Sequence, residues 1–404
     1  MTDADKRKLA QEAVDLVALH GSMRAAAKAT DQVWQTLQNR CDMAKRLGIT
    51  AGIEHKDSPA KLKEQIKRLE QELKASGKRD SDADIIKTVV GTMGRKLDAL
   101  EIPDWTIQPR KQDSAPGVPT LFLSDLHWGE VVHPGQINGV NKYNLKIAHE
   151  RMQTCIDSAV HLLKILSPKM DYPGLVLLLG GDMISGSIHE ELAQSNELHT
   201  MPTVLDLFGV LIGVIEQLLE IFKRLLIPCV GGNHGRDTHK IFAKGRNHTS
   251  FDWLLYQFLA KHFANDKRVT FFIPDGPDAY YRIYEHRYLL THGDQFRGGD
   301  SMIGALGPII RGDHKKRSRN AQIDMEYDTL LMGHWHQYIQ LHRLIVNGSL
   351  KGYDEYAYSN NFGFEAPAQA LWLTHPKYRI TYRMPVYVDR RREPPKTAWA
   401  SVAA

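Results

Sequence analysis

Asp125 and His127 in "LSDLHWGE", Asp182 in "LLGGDMIS", Asn233 and His234 in "VGGNHGRD", His292 in "LLTHGDQF", and His334 and His336 in "LMGHWHQY" all stand directly after short apolar runs. Such runs read as buried strands, and in α/β sheets ligands bind in the crevice beyond the carboxyl ends of the strands. Five separate segments therefore send oxygen and nitrogen donors toward one place. Two divalent ions about 3.5–4 Å apart can clamp the attacking and leaving oxygens of a phosphate ester and generate hydroxide at neutral pH, and they need such a donor set. Carboxylate, imidazole and amide donors without thiolate suit Mn²⁺, Fe or Zn²⁺. Each residue alone has an ordinary explanation: a strand-end Asp caps a turn, an Asn serves a turn, a lone His is structural. Their joint occurrence is what carries chemistry.

The elements that must position them begin at residue 118, where apolar strands alternate with amphipathic helices. "VPTLFLSDLH" reads as a strand, Asn144 to Leu166 as a helix, "GLVLLLGGD" as a strand, Val204 to Leu225 as a helix, and "LIPCVGGNHG" as a strand ending in a turn. A helix near Ser250 to Phe263 precedes strands at "RVTFFI", "YYRIYE", "RYLLTHGD", "DTLLMGH", "YIQLHRLIVNGS", "AQALWLT" and "YRITYRM". Alternation first and pure β later predicts sheets layered into a core with helices outside. Gly180, Gly181, Gly232, Gly293 and Gly333 allow tight bends beside the donors. Because "DTLLM" ends at Gly333, "GHWH" is free of strand alternation and can aim both imidazoles into the crevice, with Trp335 packed on the scaffold.

The order D-x-H, GD, GNH, H-G, G-H-x-H resembles the signature of the calcineurin-like metallophosphoesterase superfamily over about residues 118 to 385. The resemblance implies an α/β (α+β) architecture: a four-layer metallophosphoesterase β-sandwich flanked by helices. Carried over by position, it implies that Asp125, His127 and His336 hold a first metal, that Asp182 bridges, and that Asn233, His292 and His334 hold a second. It makes His234, with Asp182 and Asn233, part of the catalytic set, His234 protonating the leaving oxygen or steadying the transition state. A metal-bridging hydroxide would attack in line. Mn²⁺ is the expected pair of ions, with Fe or Zn²⁺ as alternatives.

The chain departs from the pattern after "GD", where it reads "GDMISGSIHEEL", and after "GNH", where Gly235 and Arg236 replace the Asp frequent in nucleases of the group. Arg236 is then a candidate clamp for a substrate phosphate. Segments such as "SDLHWGE", "GNHGR", "THGDQF" and "NGSLKGYDEYA" are similar to those of bacteriophage metallophosphoesterases described as DNA repair exonucleases. The basic run "RGDHKKRSRN" could track a nucleic-acid backbone through Lys315, Lys316, Arg317 and Arg319, its plain alternative being a solvated loop. The expectation is a two-metal phosphodiesterase acting on DNA, a nuclease. The alternatives are a phosphomonoesterase acting on a phosphoprotein or nucleotide, and a non-catalytic DNA-binding or scaffold protein.

Residues 1–55 carry helical periodicity. Ala13, Leu16 and Val17 share one face, Gly21 breaks the helix, Ser22 can cap a second helix reaching Ala29, Thr30 and Asp31 make a turn, and Val33 to Arg46 form a third helix. The stretch "GSMRAAAKATDQVWQTLQNR" resembles the small helix-turn-helix modules of regulators and phage proteins. That implies DNA contact through Gln32, Trp34, Gln35, Gln38 and Arg40, the alternative being a helical hairpin used for packing. Leu62, Ile66, Leu69 and Leu73 then mark an amphipathic helix or a short coiled coil able to pair two copies, followed by a proline-containing linker to residue 117. Residues 118–390 are expected to form the phosphoesterase domain and 391–404 a tail, with the basic run Arg390 to Arg392 spanning the junction.

With 404 residues the chain is long enough for a core that needs no staples. Three cysteines, Cys41, Cys155 and Cys229, supply neither a disulfide framework nor a thiolate metal site. The net charge of +5 permits polyanion binding without requiring it. No apolar stretch reaches membrane-spanning length, so the expectation is a soluble protein of the cytoplasm, the host's if phage-encoded.

Overall fold

A computed structural model describes residues 2–20, 22–50, 103–107, 117–298 and 304–389. The chain divides into two compact units, Met1–Asp84 and Ile85–Ala404. The coiled-coil reading at Leu62 to Leu73, most of the proposed linker, Arg390 to Arg392 and the tail lie outside the described residues.

In the first unit, helices α1 (Asp3–His20), α2 (Met23–Ala29) and α3 (Trp34–Arg46) pack around Ala13, Ala26, Ala27, Leu37 and Cys41. The Ser22 hydroxyl accepts from the Ala25 amide and starts α2 as its sequence suggested. Asp31 makes the turn at φ +52°, a left-handed value that Asp tolerates better than most residues. Small alanines on α2 let α1 and α3 approach. Of the five candidates for DNA contact, Trp34 and Gln35 are exposed. Gln32, Gln38 and Arg40 are half-buried, and the Gln38 amide is engaged with Asp42 one helical turn on.

The second unit begins earlier than expected. The helix α4 (Asp104–Ile107), read in sequence as linker, sets the Trp105 ring against the core and accepts a hydrogen bond at the Thr106 carbonyl from the Tyr284 amide. Strands β1 (Val118–Leu123), β2 (Leu175–Leu179), β3 (Leu225–Pro228) and β4 (Val269–Phe272) run parallel, and β10 (Ala368–His375) and β11 (Arg379–Tyr387) extend this sheet antiparallel in the order β11-β10-β1-β2-β3-β4. A second sheet runs β5-β6-β7-β9-β8, from β5 (Asp278–Ile283), β6 (His286–Thr291), β7 (Thr329–Met332), β8 (Ile339–Leu341) and β9 (Leu344–Val346), with β6, β7 and β9 parallel.

Residue alternation assigns each face. Leu121, Leu123, Leu177 and Leu179 meet helices α5 (Leu145–Leu166), α7 (Thr200–Ile221) and α8 (Phe251–His262), α6 (Glu190–Ser195) being a short turn between the first two. Phe122, Val176, Leu178 and Trp372 point the other way and meet Tyr281, Tyr288, Leu290 and Leu331 of the second sheet. The far face of that sheet, Leu289, Leu330, Met332 and Val346, is covered by Ile309 of helix α9 (Leu306–Ala321). The result is a four-layer sandwich of helices, sheet, sheet and helix, as expected. Continuous burial of β1 and β2 explains why they read as unbroken apolar runs.

Three boundaries differ from expectation. The segment read as one strand over "YIQLHRLIVNGS" is the β8–β9 hairpin, turning at His342 and Arg343, a pair without the glycine or asparagine that usually signals a tight turn. The helix placed at Val204 to Leu225 runs Thr200–Ile221, and Leu225 opens β3. The basic run is not a loop but lies within α9, whose buried side includes Lys316 and Asn320. Among the described residues, no helix is long and apolar enough to cross a membrane.

Candidate metal centre

The carboxyl ends of β1, β2 and β3 in one sheet and of β6 and β7 in the other deliver Asp125, Asp182, Asn233, His292, and His334 with His336. The structure brings these donors together in overlapping groups. Ligand atoms of Asp125, His127 and His336 lie within 4.8 Å of one another, as do those of Asp182, His292 and His334, and those of His127, Asp182 and His234. The Asn233 Oδ1 lies 3.2 Å from His292 Nε2. Asp182 belongs to two of the groups and joins them, the position expected of a bridging carboxylate.

Local backbone conformation makes this convergence feasible. Asp125, His127, Asp182, His334 and His336 all adopt left-handed φ values between +47° and +69°. These positions leave their strands by sharp reversals rather than continuing the alternation, which is how both imidazoles of "GHWH" face one crevice. Gly232 and Gly333 are required by close approach: a β-carbon at Gly232 would collide with the Asp182 carboxylate and backbone, and one at Gly333 with the Asp125 carboxylate.

Each carboxylate is oriented by backbone. Asp125 Oδ1 accepts from the His334 amide at 2.8 Å, and Oδ2 from the Ser124 hydroxyl at 2.5 Å. Asp182 Oδ1 accepts from the His234 amide at 2.7 Å, while Oδ2 faces His292 Nε2 at 2.9 Å. Asp252, which sequence reading did not single out, accepts from the amides of Asp182 and Gly232 at 3.0 and 2.9 Å and so ties together two of the loops carrying donors. Burial, with the nearby charge of Asp182, pushes the Asp252 carboxyl up to about 7.

The donor set fits divalent cations. His127 Nε2 and His336 Nε2 sit 3.0 Å apart, the first ring buried and the second half-buried. Two imidazole lone pairs at that separation repel unless a proton or a cation lies between them, and donors bound to one metal at about 2.1 Å and at right angles are ~3 Å apart. Asp125 and Asp182 are 0% and 1% exposed, and buried carboxylates call for positive charge. Burial would raise both, but the His336 hydrogen bond and the charges of His292 and His336 hold Asp125 below its ordinary range, and His292 and His234 hold Asp182 well below.

The imidazoles differ sharply. Burial and the charge of Lys351 depress His127 to about 4, and burial and His292 depress His334 to about 4, so both are neutral donors at pH 7. His292 goes the other way: burial opposes its charge, but Asp182 overrides burial and lifts it to about 10. Its Nδ1 donates to the Gly180 carbonyl at 2.9 Å, leaving Nε2 as the atom that must lose a proton before it can ligate. Metal uptake at pH 7 is therefore expected to release about one proton from His292, and affinity to rise about tenfold per pH unit between 7 and 9. Calorimetric titration in buffers of different ionisation enthalpy measures this release; a pH-independent affinity would contradict it. The same raised value stabilises the metal-free fold below the ordinary histidine range, a contribution lost as pH climbs through about 10.

The substrate residues expected on the rim are placed differently. All three nitrogens of the Arg236 guanidinium donate to backbone, to the Thr238, Asn233 and His239 carbonyls, so it staples its own loop. Lys316 is buried with Nζ 2.5 Å from Asp278, Arg319 pairs with the same carboxylate at 2.9 Å, and Arg317 donates to Asp313 and to the Tyr327 carbonyl. These cations hold α9 to the second sheet and are engaged there; Lys315 is exposed on the outer side of the helix. His234 is nearer to Asp182 and His127 than a purely peripheral residue would be. Its Nδ1 donates to the Ser185 carbonyl at 3.0 Å, which turns Nε2 into the site.

Neither a protein-family model nor any curated protein matches the chain. Solved structures overlap it weakly. A single mutant of Vps29 from Entamoeba histolytica shares 12% identity at a TM-score of 0.27, covering 66% of this chain and 99% of its own. An uncharacterised protein from Streptococcus pneumoniae described as a predicted phosphoesterase shares 11% at 0.26, covering 66% and 97%. The sulfate thiohydrolase SoxB of Thermus thermophilus shares 10% at 0.28, covering 69% and 58%. Overlaps this weak carry no weight for activity, which rests on the geometry of the centre itself.

Proposed function

We propose that the protein is a two-metal phosphodiesterase that hydrolyses DNA. The observation that carries this reading is the chain of three overlapping donor groups, linked through His127 and the buried carboxylate of Asp182, across the carboxyl edges of two sheets. Asp125, His127 and His336 would hold one ion, Asn233, His292 and His334 the other, with Asp182 common to both; the absence of thiolate in the set favours Mn²⁺, with Fe or Zn²⁺ as alternatives. Bound there, the cations supply charge neutralisation for the phosphoryl oxygens and an acidified water. The chain's own residues orient the ligands through backbone amides, exclude bulk water by burial, and present His234 Nε2 to the leaving oxygen.

Support for a polymeric substrate comes from the N-terminal helices, where Trp34 and Gln35 remain exposed at the start of α3. The basic run gives less support than its sequence implied, because three of its five cations, Lys316, Arg317 and Arg319, are spent on structure. Incubation of the purified chain with Mn²⁺ and end-labelled single- and double-stranded DNA, beside p-nitrophenyl phosphate, tests the reading. Cleavage of DNA is expected. Turnover of the monoester alone would make the protein a phosphatase, and metal binding without turnover of either would make it a binding protein.

A further inference from the structure

We infer that Glu130 is a positioning residue, which, held by Lys351 and Ser185, fixes His127 in the tautomer that offers Nε2 to a cation and couples that ring to His234. The inference rests on the metal-centre reading above and names a residue outside its ligand set. Glu130 is 5% exposed, and its Oε2 lies 3.1 Å from His127 Nδ1, a close though bent contact. A carboxylate oxygen can only accept, so its nearness favours the proton on Nδ1 and leaves the lone pair on Nε2, the nitrogen that faces His336. Among the described residues no other carboxylate is paired with His127 Nδ1, and its ring packs edge-on against His234 and His336.

Glu130 is itself fixed from two further sides. Lys351 Nζ, on a residue 3% exposed, donates to Glu130 Oε1 at 2.8 Å and reaches Asp354 Oδ2 at 2.5 Å. The Lys351 carbonyl accepts from the buried Arg151 guanidinium at 2.5 Å and from the Asn141 amide at 2.9 Å, which anchors the backbone from which the lysine side chain reaches Glu130. Ser185 Oγ donates to Glu130 Oε2 at 3.2 Å, and the carbonyl of the same serine accepts from His234 Nδ1. One carboxylate thus sets a ligand directly and, through Ser185, stands behind the tautomer of the residue facing the leaving oxygen. A buried lysine–carboxylate set is costly to desolvate and is weak evidence of stabilisation as such, so a role in orienting His127 is the better account of its place here.

Glu130→Gln is nearly isosteric and leaves Lys351 paired with Asp354. In this variant, one of the two Mn²⁺ affinities measured by calorimetry on the full chain is expected to fall about 10–100-fold, while the other, set by Asp182, Asn233, His292 and His334, stays within about twofold. Long-range ¹H–¹⁵N spectra of the metal-free protein should show His127 as the Nδ1–H tautomer in the wild type and a mixture in E130Q, the signals being assigned by their loss in H127Q. Ser185→Ala, which removes one of the two supports of Glu130 by deleting a single hydroxyl, should shift the same resonance in the same direction by a smaller amount. Unchanged tautomer and affinities in E130Q would overturn the inference; if E130Q fails to fold, an unshifted His127 in S185A would do so. A wild type that binds no Mn²⁺ would defeat the metal reading, and the tautomer measurement would still decide the role of Glu130.

Discussion

Asp182→Asn is expected to lower hydrolysis at least about 1000-fold, and to bring bound Mn²⁺ from two ions per chain to one or fewer. Asparagine preserves shape and the hydrogen bond at Oδ1, so the fold has no reason to fail. What it removes is the negative charge that two donor groups share. The substitution also turns an acceptor into a donor on one side: with Oδ1 still taking the His234 amide, the new NH₂ group must face His292 Nε2, which in the wild type meets Oδ2 at 2.9 Å. His292 then loses the partner that lifts it to about 10 and reverts toward the neutral ring favoured by burial. Metal content by elemental analysis, beside initial rates on DNA, reads both effects. Activity within about tenfold of wild type would remove Asp182 from the centre of the mechanism.

His234→Asn should cost about 100- to 10,000-fold in the rate on DNA while both ions stay bound. In the wild type, burial lowers the His234 pKa against the opposing pull of Asp182 and Glu130, so the free ring is neutral, its Nδ1 proton spent on Ser185 and its Nε2 bare. To donate, Nε2 must first be protonated, and an incoming phosphodiester, bringing negative charge, is what favours that. The loss should therefore depend on the leaving group: large for a deoxyribose oxygen, which needs a proton, and small for p-nitrophenolate, which does not. A deficit of equal size on DNA and on bis-p-nitrophenyl phosphate would mean that His234 acts by other means, and loss of an ion in the variant would make it a ligand, as its nearness to Asp182 and His127 allows.

The candidate centre was legible because its donors stand at strand ends, where a short apolar run and a polar residue mark position without any knowledge of the pairing. The helices α5 and α8 were legible from periodicity, and Asn144 caps α5 as an N-terminal asparagine should. Helix α9 was hidden because its inward face reads Ile309, Lys316, Asn320: helical spacing of seven and four, but filled by polar groups whose partners come from Asp278, Tyr280 and Met325. For the same reason the basic run looked available to a nucleic acid. Glu130 stood in plain view three residues after His127, yet its partner Lys351 is 221 residues away, and no local pattern announces that pairing. Arg236 donates to three loop carbonyls, an engagement the sequence could not announce because it does not show where carbonyls point.

The five left-handed residues among the donors carry a consequence for how such a chain could have arisen. Aspartate and histidine tolerate this region better than most side chains, yet each still departs from the preferred backbone at up to about 1 kcal/mol, so together they cost at most ~5 kcal/mol, a sizeable part of the margin by which a domain stays folded. Glycine would relieve it. Selection for stability alone would erase aspartate and histidine from Asp125, His127, Asp182, His334 and His336, one relaxed codon at a time. A lineage that abandoned the chemistry should show glycine at these turns while the buried strands around them still read as before.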